Sequence, residues 1–468
     1  MPPRECREMK TAVLTAVLAA LALSIEPVAA SESFRIDLAY ADAKPVIEVL
    51  RRISPGQLAG VPDDANRWTQ WVARRDAEIR ARVARGDEDS ILNFLLFGTS
   101  FTTRPRALND SAKLGGQERA AELVRERIDD LSRAIIRPGS NERLQFTRSV
   151  IARAGIDLSS SDAAALTARY LRSIMARVVS EVQDYRYAVE STRALDPVEA
   201  FVERSKLLQT RGLSSDTSIL PSYAVEEALK ALRARNLLAV GSVARAAVVG
   251  PGLDFTDKTE GYDFYPPQTV QPFALVDTLR RLKLAATNGL EVTTLDLNTR
   301  INEHLEHARD LSTAGQRYRL ELVHDADAHW LPPLADYWHN LGDQIGDDVR
   351  PSTPPIAAGR VDVRAVQVRS DVARSVVPRD LDIVLQHLRP SPQFDLIVAT
   401  NIFVYYASFE QALALVNAAQ MLRPGGILLS NNALPERLVP AMKSIGSTPA
   451  IYSDRQDDRD LIVWYQRQ

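Results

Sequence analysis

The sequence predicts an α/β protein in two parts: an all-α N-terminal half, then an open, mostly parallel sheet that closes in an antiparallel hairpin. Three observations carry this. The run Ala246-Ala247-Val248-Val249 is a short apolar stretch ending at Gly250-Pro251-Gly252. Small and β-branched residues without alternation suit a strand covered on both faces, as in a parallel sheet. Further runs of the same kind follow at Leu290–Asp296, Phe394–Asn401 and Leu422–Asn431, with helical stretches between them. The chain then ends in two short strands, around Ala450–Ser453 and Leu461–Gln466, joined by the polar run Asp454–Asp460. Strands alternating with helices imply crossover units, and the last pair implies a hairpin.

At 468 residues the chain is too long for one ordinary domain. The sequence divides into a leader over 1–30, a helical domain over 31–220 and an α/β domain over 221–468. A formal net charge of −3 leaves no basic footprint, which argues against general nucleic-acid binding. Cys6 is the only cysteine, so there is no intrachain disulfide, cysteine-based metal site or catalytic thiol.

The leader has Arg4, Arg7 and Lys10 before the apolar run Thr11–Leu23, and small residues at Val28-Ala29-Ala30. That pattern predicts a secretory signal peptide and an exported mature chain. The run is short for a bilayer, so cleavage is expected and no stable membrane span after it; the alternative reading is an uncleaved N-terminal anchor.

Between Ser31 and about Leu238 the spacing is helical. Trp68, Val72, Ile79 and Val83 share one face, and Ala120, Val124, Ile128, Leu131 and Ile135 share another. Tyr170, Ile174, Val178 and Val182 repeat the pattern in a helix that Ser161-Asp162 can cap. These stripes predict core. Gly98-Thr99-Ser100-Phe101 lacks the second glycine of a nucleophile elbow. Arg104 and Arg106 are able to grip an anion, although exposed arginines usually only solvate a surface. The Ser/Asp/Thr-rich stretch Ser214–Pro221 predicts a domain boundary.

Gly250 and Gly252 lack a Cβ, so the chain turns sharply there and a ligand can approach the backbone. In open α/β sheets ligands bind at the carboxyl ends of the strands, where this loop falls. The order of features is a G-x-G loop, a strand ending in Asp296, the strand F-D-L-I-V-A-T-N, the turn L-R-P-G-G and a closing hairpin. It resembles the class I S-adenosylmethionine-dependent methyltransferases, with a Rossmann-like sheet, over roughly the C-terminal half. The segment F-D-L-I-V-A-T-N-I-F-V-Y-Y with L-R-P-G-G-I-L is most similar to the chemotaxis-receptor-type enzymes.

The resemblance implies S-adenosylmethionine as cofactor. Gly250 and Gly252 would face its methionine moiety, Asp296 its ribose hydroxyls, and Asp371, after the apparent strand Val363–Val368, its adenine amino group. Asp254 would assist from the far side of the loop, because Val248 stands where the family usually has an acidic residue. Asn401 and Tyr405, with Tyr406 behind them, are the candidates for lining the acceptor site. The acceptor, a small molecule or a protein, is not specified.

Insertions near 255–272 and 299–360 lengthen the pattern. The first, rich in aromatics and carboxylates, reads either as a lid or as a loop packed on the helical domain. The second holds His304, His307, His324, His329 and His339 without a metal-binding spacing, so no metal is expected and a cap over the acceptor site is.

Two other readings remain open in the sequence. A nicotinamide-dependent oxidoreductase would also use a glycine turn, but Phe255 stands where the dinucleotide fingerprint needs a third glycine. Export away from the cytosolic cofactor also admits a non-catalytic binding protein built on the same scaffold.

Overall fold

The computed structural model describes residues 34–107, 116–191, 211–256, 261–389, 393–455 and 458–468. The expected leader, with Cys6, lies outside these residues. In chain order the elements begin with β1 (Arg35–Asp37), α1 (Tyr40–Ile53), α2 (Ala65–Phe97), α3 (Gln117–Ala134), α4 (Glu142–Arg153), α5 (Ala163–Ser191) and α6 (Leu220–Ala234). They continue with β2 (Arg245–Val249), α7 (Gln271–Arg281), β3 (Glu291–Asp296), α8 (Thr299–Thr313), β4 (Arg319–Asp325), α9 (Pro332–Asn340), β5 (Gly346–Val349) and β6 (Val361–Val368). The chain closes with α10 (Ser370–Ser375), β7 (Val376–Asp380), β8 (Gln386–Leu388), β9 (Phe394–Ala399), α11 (Ser408–Met421), β10 (Leu422–Ser430), β11 (Met442–Ile451) and β12 (Arg459–Arg467).

The main sheet has the order β11-β12-β10-β9-β2-β3-β7. The five strands from β10 to β7 are parallel, and β12 and β11 run antiparallel at one edge. This is a Rossmann-like α/β sheet with a closing hairpin. β2 is apolar throughout its buried part because helices cover both faces. Ala246, Val248, Val292 and Val398 pack on α6, α7 and α8 on one face, while Ala247, Val249, Leu295 and Ile397 pack on α1 and α11 on the other.

Two strands differ from the sequence expectation. β6 is not in the main sheet; it is the centre of a separate antiparallel sheet, β4-β6-β5. The strand beside β3 is β7, which contains Pro378, Arg379 and Asp380. It lies at the edge of the sheet, the position in which a proline is tolerated.

The N-terminal helices do two jobs. β1 pairs with β8 and α1 packs against α11, so the first described residues complete one layer of the α/β sandwich. α2 has 33 residues and is therefore about 50 Å long. Asp64 caps its start by accepting from the backbone N–H groups of Asn66 and Arg67. Trp68, Trp71, Val72 and Ile79, in its first half, pack against the sheet layer. Ile91, Leu92, Phe94 and Leu95, in its second half, form a separate core with α3, α4 and α5.

The insertion after the glycine loop joins that helical core. Phe255 packs between Phe94 and Phe146, with ring centroids 5.8 and 5.0 Å away. Asp263 accepts from the backbone and hydroxyl groups of both Thr99 and Ser100, at 2.7–3.0 Å. Arg106 lies over the Tyr262 ring, and Arg104 pairs with Glu126 and Asp130. Of the two readings the sequence offered for this segment, a lid or a loop packed on the helical domain, these contacts match the packed loop.

Candidate functional site

The carboxyl ends of β2, β3, β7 and β9 surround one cavity of about 80 Å³. β2 delivers Val249, Gly250 and Gly252, with φ of +61° and +69° at the two glycines. Left-handed backbone is cheap only for glycine, so this turn needs both of them. β3 delivers Asp296, followed by Leu297 and Asn298, with Ile301 one turn into α8. Leu381 and Ile383 follow β7, and Ile402, Tyr405 and Tyr406 follow β9. The roof is made by Val83 of α2 and by Leu213, Ser214 and Ser215.

Asp296 is the cavity's carboxylate. Its Oδ1 accepts the Asn298 backbone N–H at 2.8 Å. Its backbone oxygen accepts from Asn302 Nδ2 at 3.0 Å and from the Leu381 N–H at 3.3 Å, which fixes the strand end. Burial pushes its carboxyl up to about 7, and nearby Asp380 adds repulsion. Asp382, between Leu381 and Ile383 in sequence and fully buried, is also pushed up to about 7 by burial, with Oδ1 accepting the Val384 N–H at 2.9 Å. Burial holds the Tyr406 hydroxyl well above its ordinary value.

Of the residues proposed from sequence, Gly250, Gly252, Asp296 and Tyr405 meet at this cavity, with Tyr406 beside them. Three do not. Asp254 turns away, and its Oδ2 accepts from the Tyr265 hydroxyl and Gln268 Nε2, both at 2.9 Å. The insertion of Phe255 into the helical core carries it there. Asn401 is exposed at φ +61° and exchanges hydrogen bonds with Asn431, at 2.8 and 2.7 Å, closing the ends of β9 and β10. Asp371 sits exposed on α10, pairing with Arg280 at 3.5 Å and Arg369 at 3.6 Å. The strand before it belongs to the other sheet.

Sequence reasoning missed Leu381, Ile383 and the roof. The signal for the first two was the apolar alternation in Leu381-Asp382-Ile383 after an edge strand; in the roof, Ser214 and Ser215 read as part of a domain boundary and Val83 as core.

The histidines lie elsewhere. His304 Nε2 is 2.8 Å from the Tyr318 hydroxyl, and His324 stacks on Trp330 at 4.2 Å. Among the described residues no group of three or more His, Cys, Asp or Glu could hold a metal ion, and no helix is long and apolar enough to cross a membrane.

No family model matches the chain, and no curated protein matches it. The solved structures it resembles are class I S-adenosylmethionine-dependent methyltransferases. One is the N-methyltransferase NodS from Bradyrhizobium japonicum WM9, at 12% identity and TM-score 0.26, covering 52% of this chain and 97% of that one. Another is the magnesium protoporphyrin IX methyltransferase ChlM from Synechocystis PCC 6803 with bound SAH, at 9% identity and TM-score 0.25, covering 62% and 95%. The mitomycin 7-O-methyltransferase MmcR, at 12% identity and TM-score 0.29, covers 86% of this chain and 99% of that one. These superpositions are distant. The fold assignment stands on the strand order and the closing hairpin of this chain itself.

Proposed function

We propose that the chain is an S-adenosylmethionine-dependent methyltransferase whose cofactor occupies the cavity between Gly250, Asp296 and Tyr405. One observation carries the reading. The glycine turn and the acidic strand end, 46 positions apart in sequence, meet at one cavity on the carboxyl edge of a parallel sheet.

The groups suit the cofactor in kind. Asp296 offers carboxylate oxygens to the ribose hydroxyls, Leu297, Ile301, Leu381 and Ile383 offer an apolar wall to the adenine, and the glycine turn admits the methionine end. The cavity's 80 Å³ is well below the roughly 300 Å³ at which ligand pockets begin, so the roof must move for entry.

When bound, the cofactor supplies an activated methyl group on a sulfonium. The chain's own contribution is to position and to exclude water. Tyr405 and Ile402 stand across the cavity from Asp296's strand, where an acceptor nucleophile would be held. With a hydroxyl or carboxyl acceptor a base is also needed, and the lining of the cavity assigns that role to no residue.

The test is calorimetric titration of the full chain with S-adenosylmethionine and its demethylated product, beside Asp296→Ala. Micromolar binding that the substitution abolishes supports the reading, and no binding of either ligand to folded protein overturns it. A second reading, a non-catalytic binding protein on this scaffold, is favoured by the roof pressed onto the glycine turn. Binding of neither ligand by any form of the chain would leave that one standing.

A further inference from the structure

The roof takes the place that a glycine turn normally leaves for a ligand. A Cβ on Gly252 would lie 2.9 Å from the Ser215 carbonyl oxygen and 2.9 Å from Thr217 Cβ. The Leu253 N–H, beside the turn, already donates to the Ser215 carbonyl at 2.8 Å. The close approach that Gly252 permits is used by the chain's own backbone.

The segment is held to α2 from the other side. Gly212 crosses the helix at Gly86, where a Cβ on Gly212 would lie 2.4 Å from the Gly86 backbone nitrogen. Leu213 N–H donates to the Arg82 carbonyl at 3.1 Å, and Arg82 Nε donates to the Arg211 carbonyl at 3.0 Å. Asp216 accepts from Ser90 Oγ at 2.8 Å and Asn93 Nδ2 at 3.1 Å. Arg300 Nη2 donates to Ser215 Oγ at 3.0 Å.

Nearly all of these fastenings are polar, and Leu213 is the only large apolar residue between Gly212 and Thr217. Water can replace hydrogen bonds at small net cost, whereas an apolar anchor would have to be exposed. The segment is therefore built to lift without unfolding the cores beneath it.

We infer that Gly212–Thr217 is a displaceable strap that stands in for the polar end of the ligand against Gly252 and Leu253 and swings off them to admit the cofactor. The inference rests on the cofactor reading above. It makes α2 and the helical core the clasp of the site, with Asp216 as the catch. Loss of the catch raises the fraction of open chains, and apparent affinity rises with that fraction.

The experiment uses the full chain in three forms: wild type, Asp216→Ala, and a Cys6→Ser/Ser90→Cys/Asp216→Cys variant bridged by a short thiol-reactive linker or a disulfide. Two readouts are taken, binding of S-adenosylmethionine by calorimetry and hydrogen exchange at the Leu253 amide. Asp216→Ala is expected to bind about tenfold more tightly and to exchange faster at Leu253. The bridged form is expected to lose binding and to regain it when a disulfide bridge is reduced, which controls for misfolding. Equal affinity in bridged and reduced protein overturns the strap, as does unchanged Leu253 exchange in Asp216→Ala. If exchange quickens while no form binds the cofactor, the strap is upheld and the cofactor reading fails.

Discussion

Asp296 offers the sharpest test, because the fold keeps it where it costs stability. Its carboxyl rises from an ordinary 3.8 to about 7, chiefly through burial, and only 9 % of the residue is exposed. Between those two values the native chain holds a proton that the unfolded chain has released. The native state therefore binds more protons, and the unfolding free energy falls as pH rises through this window. At about 1.4 kcal/mol per pH unit the difference amounts to about 4 kcal/mol, and the effective dielectric of protein interiors reduces it to about 2–4 kcal/mol.

Asp296→Asn removes the titration and keeps an oxygen for the Asn298 N–H at 2.8 Å. The variant is expected to match wild type near pH 4, to gain as pH rises toward 7, and to be about 2–4 kcal/mol more stable at pH 8. Urea unfolding at pH 4, 6 and 8 measures this. Asp382 contributes the same slope to both proteins and cancels in the difference. An Asn variant no more stable than wild type at pH 8, or an advantage that does not grow with pH, refutes the reasoning. Stability gained together with cofactor binding lost would mark a carboxylate retained for function.

Burial holds His304 down to about 4, and its Nε2 is hydrogen-bonded to the Tyr318 hydroxyl, which itself accepts the Thr269 N–H at 2.9 Å. The unfolded chain takes up a proton below about 6.5 that the native chain refuses. The neutral ring's stability is thus full above that value and lost as pH falls toward 4, by up to about 3 kcal/mol. His304→Gln should flatten this acid limb in urea midpoints at pH 7 and 5; parallel profiles would count against it. Gly252→Ala combines a left-handed φ of +69° with contact to Ser215 and should lose about 2–4 kcal/mol. Gly241→Ala, at φ +70° with open space around it, should lose only about 1–2 kcal/mol, and equal thermal shifts would contradict the packing argument. Asp371→Ala should change stability by under about 0.5 kcal/mol and leave cofactor affinity unchanged. A tenfold loss of affinity there would relocate the ligand.

How much was legible in the sequence follows from burial. β2, β9 and β10 are covered on both faces where they are buried, so each carries a short continuous apolar run: Ala246–Val249, Leu396–Ala399 and Ile427–Leu429. Asp296 was legible as the carboxylate that ends a strand, and the family resemblance supplied its expected role. β7 was not, since an edge strand tolerates Pro378 and ends in Arg379 and Asp380, and Asp380 pairs with Arg80 at 2.8 Å and Arg35 at 3.1 Å. Taking β6 for its place shifted the expected adenine contact to Asp371. Asp254 and Asn401 were misplaced for a related reason: a side chain's direction beyond a turn depends on what the next residue packs against.

By itself the sequence determined the strands, their glycine turn and the closing hairpin, because hydrophobic periodicity and glycine chemistry are local properties; the meeting of Gly250, Gly252 and Asp296 was an expectation carried by the family resemblance. Only the tertiary structure decided which strand borders β3, that β1 and α1 complete the sheet's layer, and that Gly212–Thr217 lies on the glycine turn. Those are pairings between segments far apart in the chain. They are fixed by edge position, backbone crossings at glycine and hydrogen bonds to Asp216, none of which leaves a periodic mark in either partner.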